Sequence, residues 1–288
     1  MTERDCLGPS IYRGARAGLL TQHGKEQVVG GVLSAELGVC VERVAGIDTD
    51  TLGTFTREIP RAGTQRDAAT RKAELAIERS GLTFGLGSEG AFTADPWLGL
   101  TPWNIECLVF LDRYHGIEVV AWAQGEARSG HEHVGDWAQA AVFAENAGFP
   151  EHWLVLRPEA ADHPHIVKGL SDWASLREAF EQVRSKAANG MVFLENDLRA
   201  HTNPTRRGVI KQAAEDLARR LSSQCPACGT PGFWIVEAIP GLPCALCGSP
   251  TRVMRADLWG CLKCDHRVTR ARGGAITADP GRCDVCNP

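Results

Sequence analysis

The sequence predicts a mixed-sheet α/β domain followed by a small β-rich module of the zinc-ribbon kind. Three observations carry this. Strand-like and helix-like runs alternate through the first 221 residues. The turn Arg113-Tyr114-His115-Gly116 reads as a hairpin, so at least one strand pair is antiparallel. Eight of the eleven cysteines crowd into the stretch from Cys225 to Cys286.

Taken in order, residues 1–16 read as a tail, 17–221 as the α/β domain and 222–288 as the module. Ala17 to Thr21 is a short apolar strand, and Glu26 to Leu37 a helix stopped by Gly38. Val39 to Val44 follows as a strand, and Thr64 to Ser80 as a helix closed by Gly81. Leu82 to Leu86, Ile105 to Asp112 and Ile117 to Trp122 are further strands. Trp137 to Asn146 is helical, His152 to Leu156 extended, and Asp172 to Ala188 an amphipathic helix. Asn203-Pro204 opens the last helix, Thr205 to Leu221.

The module's cysteines form four C-x-x-C pairs: Cys225 with Cys228, Cys244 with Cys247, Cys261 with Cys264, and Cys283 with Cys286. Each such turn can present two thiolates to one tetrahedral ion, so the count predicts two structural Zn2+ ions. Disulfides are the competing expectation, disfavoured in a reducing cytosol. The strand-like runs Phe233 to Ala238, Arg252 to Trp259 and His266 to Thr269 separate the knuckles. A meander would pair the first knuckle with the third and the second with the fourth; a fold-back at Pro240-Gly241 would pair them sequentially, and the sequence leaves both open.

Charge limits the partners. Formal net charge is −4 with a pI near 6.2. Residues 221–288 carry seven Lys or Arg against five Asp or Glu, and eight thiolates with two zinc ions turn that surplus into a deficit. Nucleic acid is therefore the least favoured partner. Phe233, Trp234 and Trp259 are expected to be core rather than base-stacking residues. No export segment and no 18-residue apolar run is visible, which points to a soluble, cytoplasmic chain without a membrane partner.

Polar clusters lie where strands meet helices. Thr21-Gln22-His23-Gly24-Lys25-Glu26 offers a hydroxyl, a glycine and a cation at a helix mouth, a plausible phosphate cradle. Arg57 to Lys72 holds Arg61, Arg66, Asp67, Arg71 and Lys72. Gly85-Leu86-Gly87-Ser88-Glu89-Gly90 reads as a strand end where Glu89 could hold a hard cation such as Mg2+. Asp48-Thr49-Asp50 with Gly53-Thr54-Phe55 could add carboxylates or be ordinary turn residues. The polar run Glu195 to Arg206 brings Arg199, His201 and Arg206 to a strand end before a helix, suited to an anion. His131-Glu132-His133, flanked by glycines, reads as a surface loop.

The order of these clusters, a T-x-x-x-K turn, a later helix with Arg-Lys-Ala and a strand bearing G-x-E-G, resembles the inosine/xanthosine triphosphate pyrophosphatase superfamily, most of all its purine phosphatase branch. The resemblance spans about 17–125 and 199–221. It implies phosphate binding at Thr21 and Lys25, a basic residue at Lys72, Mg2+ at Glu89, and a helix-opening pair matched by Thr205-Arg206-Arg207. Asp67 is the nearest match to a further catalytic acid. Gln22 and His23 stand where that family has Asn. The two-part layout as a whole is also similar to a bacterial family of unknown function. Together these features lead to the expectation of a Mg2+-dependent phosphohydrolase of a nucleotide or related phosphate ester, with Glu89, Asp67 and Lys72 catalytic and Thr21, Lys25, Arg199, His201 and Arg206 holding the ligand. The alternative is a non-catalytic nucleotide-binding protein that docks a protein partner through the zinc module.

Overall fold

A computed structural model describes residues 10–46 and 63–288. Asp48, Thr49, Asp50, Gly53, Thr54, Phe55, Arg57 and Arg61 lie outside the described residues. The chain divides into two compact units, with the change falling between Ala218 and Arg219.

In the first unit, β1 (Arg16–Leu20), α1 (Lys25–Leu37), β2 (Cys40–Val44), α2 (Gln65–Ser80), β3 (Phe84–Ala94), β4 (Pro102–Asp112) and β5 (Ile117–Glu126) build a mixed five-stranded sheet in the order β2-β1-β3-β4-β5. β1 runs parallel to both β2 and β3, while β3, β4 and β5 form an antiparallel meander. The Arg113 to Gly116 turn is indeed the β4–β5 hairpin. Gly116 takes φ 68° there, and the His115 N–H donates to Asp112 Oδ1 at 2.9 Å.

Helix placement follows from the inward stripes. α1 buries Lys25, Val29, Leu33 and Leu37, four residues apart, and Gly30 sits against Val41 on one sheet face. α2 buries Ala68, Ala69, Lys72, Ala73 and Ala76 on the other, where Leu20, Val44 and Ala76 pack together. The glycines of β3 explain how close α2 comes. A Cβ on Gly85 would overlap the carbonyl of Ala73, and one on Gly87 the carbonyl of Ala69. These glycines serve helix–strand packing, and Glu89 lies mid-strand rather than at a strand end, because β3 runs on to Ala94.

Because β1 leads through α1 to β2 on one side, and β2 returns through α2 to β3 on the other, the chain reverses its winding at β1 and β3. Crevices form at the carboxyl ends of strands at such a point. β1 pairs with β3 only as far as Leu86, so Ser88 to Gly90 lie beyond its reach, beside the turn that leads into α1.

A second, antiparallel sheet has the order β6-β9-β7-β8, built from β6 (His131–Val134), β7 (Leu154–Pro158), β8 (Val167–Leu170) and β9 (Val192–Asn196). His131 to Val134 is thus an edge strand rather than a loop. α3 (Trp137–Ala147) and α4 (Trp173–Arg184) cover one face of this sheet, where Val134, Phe143, Leu154, Leu156, Phe180, Val192 and Leu194 form the core. α5 (Pro204–Ser222) returns to the first sheet, with Val209 against Gly125.

The second unit is a meander of β10 (Trp234–Pro240), β11 (Met254–Gly260) and β12 (Arg267–Ala271). Phe233 is buried beside Trp259, as expected of a core residue, whereas Trp259 and Trp234 are only half-buried and meet edge-on at 5.1 Å. No helix among the described residues is long and apolar enough to cross a membrane.

Candidate functional site

Five charged side chains are buried around the winding reversal: Lys25, Lys72, Glu89, Glu106 and Arg206. Each cation is the first or only polar member of an apolar inward stripe. Lys25 precedes Val29 and Leu33 on α1, Lys72 lies among the alanines of α2, and Arg206 precedes Val209, Ile210 and Ala213 on α5. A helix that buries its stripe therefore carries its cation inward with it.

The charges meet in two groups, one on each sheet face. On the α1 side, Arg206 Nε donates to Glu106 Oε1 at 2.7 Å, and Lys25 Nζ lies 2.9 Å from Ser88 Oγ and 3.5 Å from Glu106 Oε2. Asn104 Nδ2 also donates to Glu106 Oε1 at 3.1 Å, whereas Asn104 Oδ1 is buried with no hydrogen-bond partner. Arg206 Nη1 reaches the carbonyl of Leu198 at 2.6 Å, and Asn203 Oδ1 accepts from the Arg206 N–H. On the α2 side, Lys72 Nζ binds Glu89 Oε2 at 2.6 Å. Gln65 Nε2 donates to the carbonyls of Glu89 and Ile105, tying the start of α2 to both strands.

Burial pushes the Lys25 ammonium down to about 8, Glu106 opposing the shift and Arg206 adding to it. For Glu106, burial acts upward but is outweighed by Arg206 and Lys25, which hold the carboxyl at about 2. The group on the α1 side therefore carries two cations and one carboxylate at neutral pH. That surplus of positive charge, shielded from water, suits an anion.

Gly90 faces Glu106 directly across the β3–β4 pair, and a Cβ there would overlap both Glu106 Oε1 and Arg206 Nη2. Gly90→Ala is expected to cost about 1–3 kcal/mol through forced displacement of this ion pair. Urea denaturation would measure it, and a loss within 0.5 kcal/mol (about the ordinary surface range) would show that the pair yields freely.

Of the residues expected at the site, the structure places Lys25 and Arg206 around Glu106 on one sheet face and Lys72 with Glu89 on the other, while Thr21 is buried in the turn before α1. Asp67 is not among them. Its carboxylate accepts from the Thr64 N–H at 2.9 Å in a capping box at the exposed start of α2. Arg199 is held by Asp197, with Nε 2.9 Å from Oδ1. His201 stacks on His23 with ring centroids 5.6 Å apart, and Trp153 stands edge-on to it at 5.9 Å. Burial, followed by Arg199, pushes the His201 imidazole below its ordinary value. Ser88, Asn104 and Glu106 were missed. Alternation along β4 places Glu106 in phase with Leu108 and Phe110, so a charge at an inward position was the available signal.

In the second unit, Cys225, Cys228, Cys261 and Cys264 form one group of thiols, and Cys244, Cys247, Cys283 and Cys286 the other, each with all sulfurs within 4.8 Å of one another. The pairing is the crossed one, because the meander puts successive knuckles at opposite ends of its sheet. Sulfur separations of 3.7 Å for Cys225–Cys264, 3.6 Å for Cys228–Cys261, 3.8 Å for Cys244–Cys286 and 3.6 Å for Cys247–Cys283 match the ~3.8 Å between thiolates sharing a tetrahedral zinc. All cysteines among the described residues are free thiols. Gly229 and Gly248 follow the second cysteine of two knuckles with φ 73° and 74°, the left-handed conformation that bends the chain around a metal. Hydrogen bonding to Thr230 and to Ser249 lowers the Cys228 and Cys247 thiols to about 6, while Cys264 and Cys286, hydrogen-bonded to those sulfurs, are pushed up to about 12, so each group holds its protons unevenly. Both groups are thus fit to hold zinc.

No curated protein and no solved structure matches this chain. One family model does match, over residues 72–288, which is more than half of the sequence and takes in Lys72, Glu89, Glu106, Arg206 and all eight module cysteines. The chain belongs to the family described as a domain of unknown function, DUF6671.

Proposed function

We propose that the first unit binds the phosphates of a nucleotide or related phosphate ester and hydrolyses it with Mg2+, while each four-cysteine group of the second unit holds a structural Zn2+. The convergence of Lys25, Lys72 and Arg206 with Glu89 and Glu106 carries the first part. Burying five charges in ion pairs is an expensive way to stabilise a core, since apolar residues of like volume do as well or better. Such a cluster at a winding reversal is a natural place for function.

Lys25 and Arg206 would neutralise phosphate oxygens on the α1 side, and Lys72 would add charge from the α2 side. Mg2+ is commonly held by one or two carboxylates together with substrate phosphates, and Glu89 suits that role. Bound there, the metal would supply charge neutralisation and an activated water. Glu89 and Glu106 occupy adjacent strands with side chains on opposite faces, so Glu106 serves to orient Lys25 and Arg206 instead of joining Glu89 on one ion. This separation favours a second reading, in which the same cluster binds the nucleotide without turnover and the zinc unit engages a protein partner.

Metal-dependent release of phosphate or pyrophosphate separates the two. Release is expected in wild type and lost in Glu89→Gln with the melting temperature retained. Unchanged release in the variant removes Glu89 from the reaction, and binding without release under any divalent metal selects the second reading.

Anion affinity should also fall as pH rises through about 8, because Lys25 loses its proton there. Lys25→Arg stays charged through this range and should flatten the profile. Pyrophosphate titrations between pH 7 and 9 check this; an identical decline in the variant removes Lys25 from the binding site.

A further inference from the structure

A cavity of about 220 Å³ lies between the far end of β3 and the second sheet, lined by Phe92, Thr93, Ser129, His131, Glu195 and Leu198 among others. Arg206 borders it. The guanidinium carbon lies 5.7 Å from the Phe92 ring centroid, and Nη1 donates to the Leu198 carbonyl. A phosphate held by Lys25 and Arg206 thus has, on the other side of Arg206, a chamber with room for roughly seven waters at ~30 Å³ each. That is the scale of one ring system, below the usual range for whole drug-sized ligands.

The lining decides what fits. No Lys or Arg lines this cavity, and it presents a carboxylate, so a second anionic group is excluded. Phe92 offers an aromatic wall for a flat ring. Glu195 stands directly opposite His131 across the β6–β9 pair, and the buried Arg157 approaches Glu195 Oε1 at 3.6 Å, which orients the carboxylate while its side chain stays 21% exposed. An ionised carboxylate only accepts hydrogen bonds. It therefore selects a ring edge carrying adjacent donors, and guanine is the base that presents a ring N–H beside an amino group.

We infer that this cavity receives the base of the nucleotide and that Glu195 selects guanine by accepting from its N–H and amino donors. The inference rests on the phosphate-binding reading above. Hypoxanthine is the sharp comparison, because it keeps the ring N–H and lacks only the amino group.

The test is calorimetric titration of the full-length protein with non-hydrolysable analogues of GTP and ITP, and with pyrophosphate as the phosphate-only probe. The GTP analogue is expected to bind at least ~10-fold more tightly than the ITP analogue, the discrimination one good donor–acceptor contact can give. Glu195→Gln should bring the ratio close to one and leave pyrophosphate affinity unchanged. Thr93→Trp, which fills the cavity from its other wall, should abolish the advantage of both nucleotides over pyrophosphate. A wild-type ratio near one, a ratio unaltered in Glu195→Gln, or a retained advantage in Thr93→Trp overturns the base assignment. Pyrophosphate binding without nucleotide discrimination sinks only that assignment; absence of binding by all three probes sinks the phosphate reading with it.

Discussion

Stripping metal from the protein is expected to unfold residues 219–288 while the first unit keeps its own cooperative transition. The second unit has little else to hold it. Its strands read as mostly intermediate or exposed positions, and outside the cysteines its buried apolar side chains are few: Leu221, Phe233, Ala256 and Ala278. A module of this size rarely stands on such a core, and in small metal-bound folds the binding free energy is the folding free energy. Arg270 over Trp259 at 4.3 Å adds a cation–π contact worth about 0.5–1 kcal/mol at an exposed site, too little to substitute. Metal analysis should find two zinc ions per chain. Chelation followed by calorimetry should show one transition lost and one retained, and restored by zinc. Cys225→Ser should lose one ion and destabilise the module; an unaltered module transition after complete chelation would show that packing alone sustains it.

How much of this was legible in the sequence varies with the kind of signal. Four C-x-x-C turns fix ligand chemistry locally, so the metal groups could be named before any fold was known. Which knuckles join depends on strand order, a property of the whole meander, and spacing left it open. In the first unit, periodicity placed the helices to within a few residues, because inward stripes such as Val29, Leu33 and Leu37 are a local pattern. The same stripes extended by one turn contain Lys25 and Arg206, so their burial was also readable. Glycine was harder to interpret. Gly87 and Gly90 are explained by what approaches them, the Ala69 carbonyl and the Glu106–Arg206 pair, and those neighbours come from distant segments. Asp67 reads in the sequence as the nearest match to a catalytic acid, but an acid three residues after Thr64 is equally the signature of a helix cap, and that cap is formed.

Glu106→Gln is expected to destabilise the first unit by about 3–5 kcal/mol, the usual consequence of breaking a buried ion pair, because it leaves Lys25 and Arg206 as uncompensated buried cations. Arg206→Met should cost less, because Glu106 keeps Lys25 as its ionic partner. A triple replacement, Lys25→Met with Glu106→Leu and Arg206→Met, removes the charges together and should recover much of the loss, since a well-packed apolar substitute is often neutral or better. The pH dependence has a definite sign. Glu106 titrates at about 2 in the folded protein against 4.5 ordinarily, so its contribution is present above 4.5 and is lost as pH falls toward 2. Lys25 acts in another window: its folded value of about 8 lies below the ordinary 10.5, so the folded form releases this proton first and stability rises between those values. Urea denaturation from pH 2 to 10 would resolve both arms, and the acid arm should vanish in the triple variant. If that variant is as stable as wild type yet binds no pyrophosphate, the charges are retained for the ligand; if it still binds pyrophosphate, the phosphate site lies elsewhere.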